Sequence, residues 1–213
     1  ARGQFDAERI LHGLGERYEG AAVSFKPWPS CRGTHAFVEA ALSLRRQHAF
    51  DPNDVERIDV TVSPFFAVLC EPQKQKARPK TAIDAKFSIP FTVAVALAQG
   101  DVGLQDFSKD RLADPLLHVL ADRVHHTVEK SWTLDQSTRG VLTLSLGDGR
   151  KLSCAVTDPL GHPDNPMDDG AMQSKFAQCV AQARHPMDAA AVKQLVERLA
   201  SLEGMADVRD LFA

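Results

Sequence analysis

The chain has 213 residues and a net charge of −3, from 25 Lys and Arg against 28 Asp and Glu, and 44% of it is hydrophobic. That balance, with its basic residues scattered, argues against a nucleic-acid partner, and no apolar run approaches the roughly 20 residues needed to cross a bilayer. The N-terminus lacks a signal peptide's apolar core, so a soluble, cytoplasmic protein with one large core is expected.

In chain order, apolar spacing predicts a helix over Phe5 to Tyr18, ending near Gly20. A short extended piece, Ala21 to Phe25, follows. Two prolines then fix the lead-in Lys26-Pro27-Trp28-Pro29, and Thr34 reads as the cap of a helix running to His48. Val55 to Val62 is rich in β-branched residues and alternates from Ile58 onward, which predicts a strand. Phe65 to Glu71 suits a short helix, and Pro72 to Lys80 a polar loop. Ser88 to Gln99 is apolar on nearly every side, as a helix at the centre of the core would be. Asp110 to Ala121 has a weaker helical pattern. Arg123 to Lys130, Gly140 to Leu146 and Lys151 to Val156 read as strands, the last two joined by a hairpin at Gly147-Asp148-Gly149. Helices over Asn165 to Ala183 and Met187 to Leu202 close the chain. The expected fold is α+β, a mainly antiparallel sheet of about four strands with helices packed on it.

Lys26, Cys31 and His35 gather at one rigid corner. Fixed positive charge beside a side chain that titrates near neutrality could bind an acidic substrate and move its proton. The same residues also read as a loop entering a helix, with Lys26 solvated and His35 packing the first turn. Cys31, Cys70, Cys154 and Cys179 form no CxxC pair, so neither a zinc ribbon nor an iron–sulfur cluster is suggested. Cys31 is open to two readings, a nucleophile near a helix start or a packing residue. His125 and His126 leave opposite faces of a strand and cannot share a metal. His162 reads as a loop residue. No metal and no cofactor are expected.

Three elements carry a resemblance: Lys-Pro-x-Pro-x-Cys-x-x-x-His at Lys26 to His35, Asp-Ala-Lys-Phe-Ser-x-Pro-Phe at Asp84 to Phe91, and Gly161-His162-Pro163-Asp164-Asn165-Pro166-Met167 followed by Lys175-Phe176. In order and spacing the chain resembles the C-terminal half of the MmgE/PrpD family, which includes 2-methylcitrate dehydratase, cis-aconitate decarboxylase and iminodisuccinate epimerase. The resemblance implies a two-domain enzyme in which a helical domain and this α+β lid close over a cleft. Ala1 is not a methionine, and the helical domain that precedes this region in relatives is expected to be missing from the chain.

The chemistry so implied is cofactor-free removal of a proton, or of a carboxylate, next to a carboxylate, with loss of hydroxide in the dehydratases. His35 and Lys26 match the motif's histidine and lysine and become the expected catalysts. Arg32, Cys31, Lys80 and Lys86 are the expected substrate-binding residues, with Asp84 free to pair with Lys86. Trp28 stands where many relatives have Tyr, which keeps the ring and loses the hydroxyl. The expected partners are a small carboxylate substrate, the helical domain and a second copy in a homodimer. A 2-methylcitrate dehydratase-like hydro-lyase of propionate metabolism is the leading expectation. Epimerisation, decarboxylation and a non-catalytic lid or dimerisation module are the alternatives.

Overall fold

The computed structural model describes residues 5–212. Its sheet has the order β2-β1-β3-β4, from β1 (Val55–Val62), β2 (Val124–Val128), β3 (Gly140–Leu146) and β4 (Lys151–Val156). β1 pairs antiparallel with β3, and β3 with β4, but β1 runs parallel to β2. The sheet is therefore mixed and not mainly antiparallel as expected. The reason is the connection: β1 reaches β2 only after several helices, and a long helical crossover brings a strand back parallel, whereas the tight turn after β3 forces antiparallel pairing. At that turn Gly149 has φ +86°, a left-handed conformation suited to glycine.

One face of β1 buries Val55, Ile58, Val60 and Val62. The odd step between Val55 and Ile58 is absorbed by a register shift between Val55 and Arg57, after which strict alternation resumes. The opposite face is polar, where Arg57 and Asp59 form an exposed bidentate pair.

α2 (His35–Gln47) lies on β3 and β4. The approach is close because position 140 is glycine: a Cβ there would meet the Phe37 ring at 2.8 Å and the Ala36 methyl at 2.9 Å. Behind α2 sits α5 (Ile89–Gln99), in which every residue from Ile89 to Leu97 is buried, the core centre expected from its composition. Ser88 caps it by accepting from the Phe91 N–H at 3.0 Å, and Gly100 ends it in the left-handed region at φ +78°. Arg45 of α2 donates to the carbonyls of Leu97 and Ala98, tying the two helices at the end where a cation meets the helix dipole favourably.

Several expectations need correction. The predicted Phe5–Tyr18 helix is only α1 (Ala7–Leu11), because Gly13 and Gly15 take positive φ, and none of its residues is buried. Part of the expected extended piece is a 3-10 turn, Glu19–Ala22. The polar loop after Pro72 contains α3 (Gln73–Ala77), which packs on α5 and on the later α7. Phe65 to Glu71 holds no α-helix, only turns and a 3-10 segment at Ala67–Leu69. α4 (Ala82–Lys86) precedes α5, and the weak pattern after it splits at Asp114-Pro115 into α6 (Lys109–Leu112) and α7 (Pro115–Asp122). α8 (Asp169–Ala181) starts later than the expected Asn165 and α9 (Ala189–Ala200) follows it, with no buried residue in either, before two 3-10 segments at Leu202–Gly204 and Val208–Phe212. Among the described residues, no helix is long and apolar enough to cross a membrane.

Candidate functional site

The chain enters the corner through a backbone clasp. Phe25 donates its N–H to the Gly161 carbonyl at 2.8 Å, and Gly161 donates to the Asn165 carbonyl at 2.8 Å. Asn165 in turn donates from its side chain to the Asp158 carbonyl. Gly161 has φ +85°, and a Cβ there would stand 2.3 Å from the Phe25 oxygen, so no other residue fits without moving the segment that carries Lys26. The Gly-His-Pro-Asp-Asn-Pro element thus buckles the Lys26 segment in place.

Arg32 makes the second clasp. Its Nη1 donates to the Leu160 carbonyl at 2.7 Å and its Nη2 to the Pro159 carbonyl at 2.8 Å. Glu39, one turn into α2, accepts the Leu160 N–H at 2.6 Å. Arg32 was expected to bind substrate; both its terminal nitrogens donate to these carbonyls, its buried Nε has no partner, and it lies outside the cavity described below. Burial lowers its pKa, partly opposed by Glu39, yet a guanidinium stays charged at any working pH.

His35 is fully buried, and the Trp28 ring packs edge-on against it, with centroids 5.3 Å apart. Its Nδ1 lies 3.1 Å from Arg32 Nη1. A guanidinium can only donate, so Nδ1 carries the lone pair and Nε2 the proton. Nε2 has no hydrogen-bond partner. The imidazole pKa is lowered to about 3, first by burial and then by the positive charge of Arg32, with smaller pushes from Lys26 and Lys175. A polar contact with the Ser30 backbone opposes the shift without reaching hydrogen-bond geometry. His35 is therefore neutral at any physiological pH. Thr34 does not cap α2 as expected: its backbone is already helical, and its hydroxyl donates to the Cys31 carbonyl and pairs with the Ser30 hydroxyl at 2.7 Å.

A cavity of about 310 Å³ opens beside this corner, lined by Lys26, Trp28, Cys31, Lys86, Phe87 and Lys175 among others. The Cys31 N–H donates to the Lys86 carbonyl at 2.8 Å, which fastens the first and second sequence elements together. The Lys86 ammonium stands 5.4 Å from the centre of the Phe107 ring, a weak cation–π contact that leaves its donors free. Asp84 does not pair with Lys86, since its carboxylate accepts from the Thr81 hydroxyl at 2.7 Å. Among the described residues, no carboxylate pairs with Lys26, Lys86 or Lys175. Three ammonium groups, unpaired with any carboxylate among the described residues, thus line one small hollow.

Of the residues expected in a site, Lys26, Cys31 and Lys86 line this cavity, His35 and Arg32 lie outside its lining, and Lys80 is exposed elsewhere. Lys175 was not among the expected binding residues, although Lys175-Phe176 belongs to the third element; nothing in a helical pattern says which loop that helix faces. A larger hollow of about 840 Å³ lies between α8 and residues 99–115, where Asp101, Asp106, Asp110 and Asp114 outnumber Arg111 and Lys175. Its acidic rim does not suit an anion. Asp158, His162 and Asp164 bring possible ligand atoms within 4.8 Å of one another, but His162 Nδ1 already accepts the Asp164 N–H at 3.2 Å.

The MmgE/PrpD C-terminal domain model matches residues 28–201, most of the chain and all three sequence elements apart from Lys26 and Pro27. The chain belongs to the MmgE/PrpD family. No curated protein matches it. Within this MmgE/PrpD domain, the first and second elements form the cationic hollow, and the third fixes the first from behind and contributes Lys175.

Proposed function

We propose that this MmgE/PrpD domain supplies the anion-binding part of the active site of a cofactor-independent hydro-lyase that acts on a small di- or tricarboxylate, in the manner of 2-methylcitrate dehydratase. The observation that supports this is the convergence of Lys26, Lys86 and Lys175, none paired with a carboxylate among the described residues, on a hollow of about 310 Å³. Removing a proton from carbon next to a carboxylate builds enolate charge, and ammonium groups already in place meet that charge without reorganising. The proton leaves to a base, the electron pair forms the carbon–carbon double bond, and hydroxide departs from the neighbouring carbon with a proton to become water.

In this reading Lys26 touches the substrate carboxylate and the developing enolate. His35 is a positioning residue: its Nδ1 lone pair is held by Arg32 and it stays neutral, so it does not accept the substrate proton in this arrangement. It shapes the corner with Trp28 and fixes Arg32. The base and the acid for the leaving hydroxide then come from a helical domain of the kind that relatives place before this one, and the working molecule is a homodimer.

The test is turnover of 2-methylcitrate, cis-aconitate and iminodisuccinate by this chain and by the complete gene product that carries it, with and without a chelator. The expected result is dehydration by the complete product, indifferent to chelation and reduced about 100-fold or more by Lys26→Met. Activity in the isolated domain would contradict a shared site. Decarboxylation or epimerisation in place of dehydration would keep the anion site and replace the reaction.

A further inference from the structure

Lys175 comes to the hollow from a different part of the chain than the other two lysines. Lys26 is held by the Gly161 clasp, and Lys86 ends α4, whose carbonyl holds Cys31; both belong to the packed body. Lys175 stands at the middle of α8, a helix without a single buried residue. Its half-buried positions are Ala171, Lys175, Phe176 and Val180; the helix packs on α9, and Lys175 is the one of these four that lines the hollows bordering the body. Lys175 lines both the 310 Å³ hollow and the acidic one beside it. Gln182 donating to Gln105 at 3.3 Å is a side-chain hydrogen bond that ties this helix to the body.

An ammonium group here faces two choices. Aspartates line the neighbouring hollow, yet Lys175 forms no ion pair with any of them, and its charge reaches far enough into the corner to press on the His35 imidazole. A lysine left unpaired beside carboxylates and turned toward two further cations costs repulsion unless an anion is present. The charge count is also informative: a dicarboxylate neutralises two lysines and leaves the third repelled.

We propose that Lys175 is a specificity-determining residue that binds a third carboxylate, so that the hollow selects a tricarboxylate over a dicarboxylate of the same length. This rests on the anion-site reading above and adds the ligand's charge count and the residue that enforces it. Binding also pins α8 to the body, because the ion pair adds a tie where no buried side chain exists.

The test uses two probes with the same five-carbon backbone and terminal carboxylates, tricarballylate and glutarate, which differ only in the central carboxylate. Affinities are measured by calorimetry for the wild-type protein, Lys175→Met and Lys175→Arg, with amide hydrogen exchange of α8 and α9 as a second readout. Wild type should prefer tricarballylate by about tenfold or more, the worth of one charge-assisted contact. Lys175→Met should weaken tricarballylate far more than glutarate and so lose most of that preference, and Lys175→Arg should restore it. Tricarballylate should slow exchange in α8 but not in α9, and only where residue 175 is a cation. An unchanged preference in Lys175→Met, or equal weakening of both acids, overturns the proposal and leaves the anion site standing. If the wild-type protein binds neither acid, the anion-site reading itself falls, and this proposal falls with it.

Discussion

Arg32 donates from Nη1 to Nδ1 of His35 across 3.1 Å, and the same guanidinium holds the carbonyls of Pro159 and Leu160. One cation thereby joins the first turn of α2 to a loop more than 120 residues further along. It also decides the chemistry of the imidazole, because a lone pair facing a guanidinium is not available to a substrate proton.

Stability should therefore depend on pH through His35. Its folded pKa, about 3, lies below the 6.5 of a free imidazole. Between those values the unfolded chain binds a proton that the native state refuses, so stability falls as pH drops from 6.5 toward 3, by up to about 1.4 kcal/mol per pH unit from this group. Denaturant unfolding of wild type and His35→Gln over that range should give curves whose difference has this slope. Parallel curves would mean that His35 protonates normally in the folded state. In Arg32→Met, NMR titration should find the His35 pKa raised from about 3 but still below the free value, since burial is the larger cause.

Gly161→Ala should be more damaging than an exposed glycine substitution. It combines φ +85° with a Cβ 2.3 Å from the Phe25 carbonyl oxygen, and a backbone atom cannot swing aside. A loss on the order of 1–3 kcal/mol is expected from the conformation alone, and anion affinity should fall with it because Lys26 follows Phe25. Gly149→Ala is the comparison: φ is +86°, but the space around it is open. Urea midpoints close to wild type for Gly161→Ala would show that the clasp is not needed.

Thiol labelling should separate the four free cysteines. Cys179 is exposed and should react first. Cys70 is buried, and desolvation pushes its thiol up to about 12, so it should react only on unfolding. Cys31 lines the cationic hollow and should be the one thiol that citrate protects. Protection of Cys179 instead would place the anion in the larger hollow.

The elements carried by local chemistry were legible in the sequence: the bounds of β1, β3 and β4, and the burial of α5, follow from alternation and from an unbroken apolar run. The parallel pairing of β2 was missed although its cause was visible, since a long helical connection separates the strands. α1 was overextended because periodicity reports what a helix could bury, not whether a surface is there to bury it. At the site, Lys26, Cys31 and Lys86 could be named from their elements. For Arg32 the sequence could not show that the carbonyls it meets come from residues 159 and 160, because sequence distance hides that contact. The same blindness hid Lys175.

The most direct test of the cationic hollow is NMR of the lysine side chains in protein labelled at the ε-carbon, titrated with citrate at low and high salt. The signals of Lys26, Lys86 and Lys175 should move together along one saturable curve, weakened by salt because charge attraction supplies the affinity, while exposed lysines such as Lys80 and Lys193 stay still. Movement of Lys80 and Lys193 to the same extent, or no saturable movement of the three, would contradict an anion site at this corner.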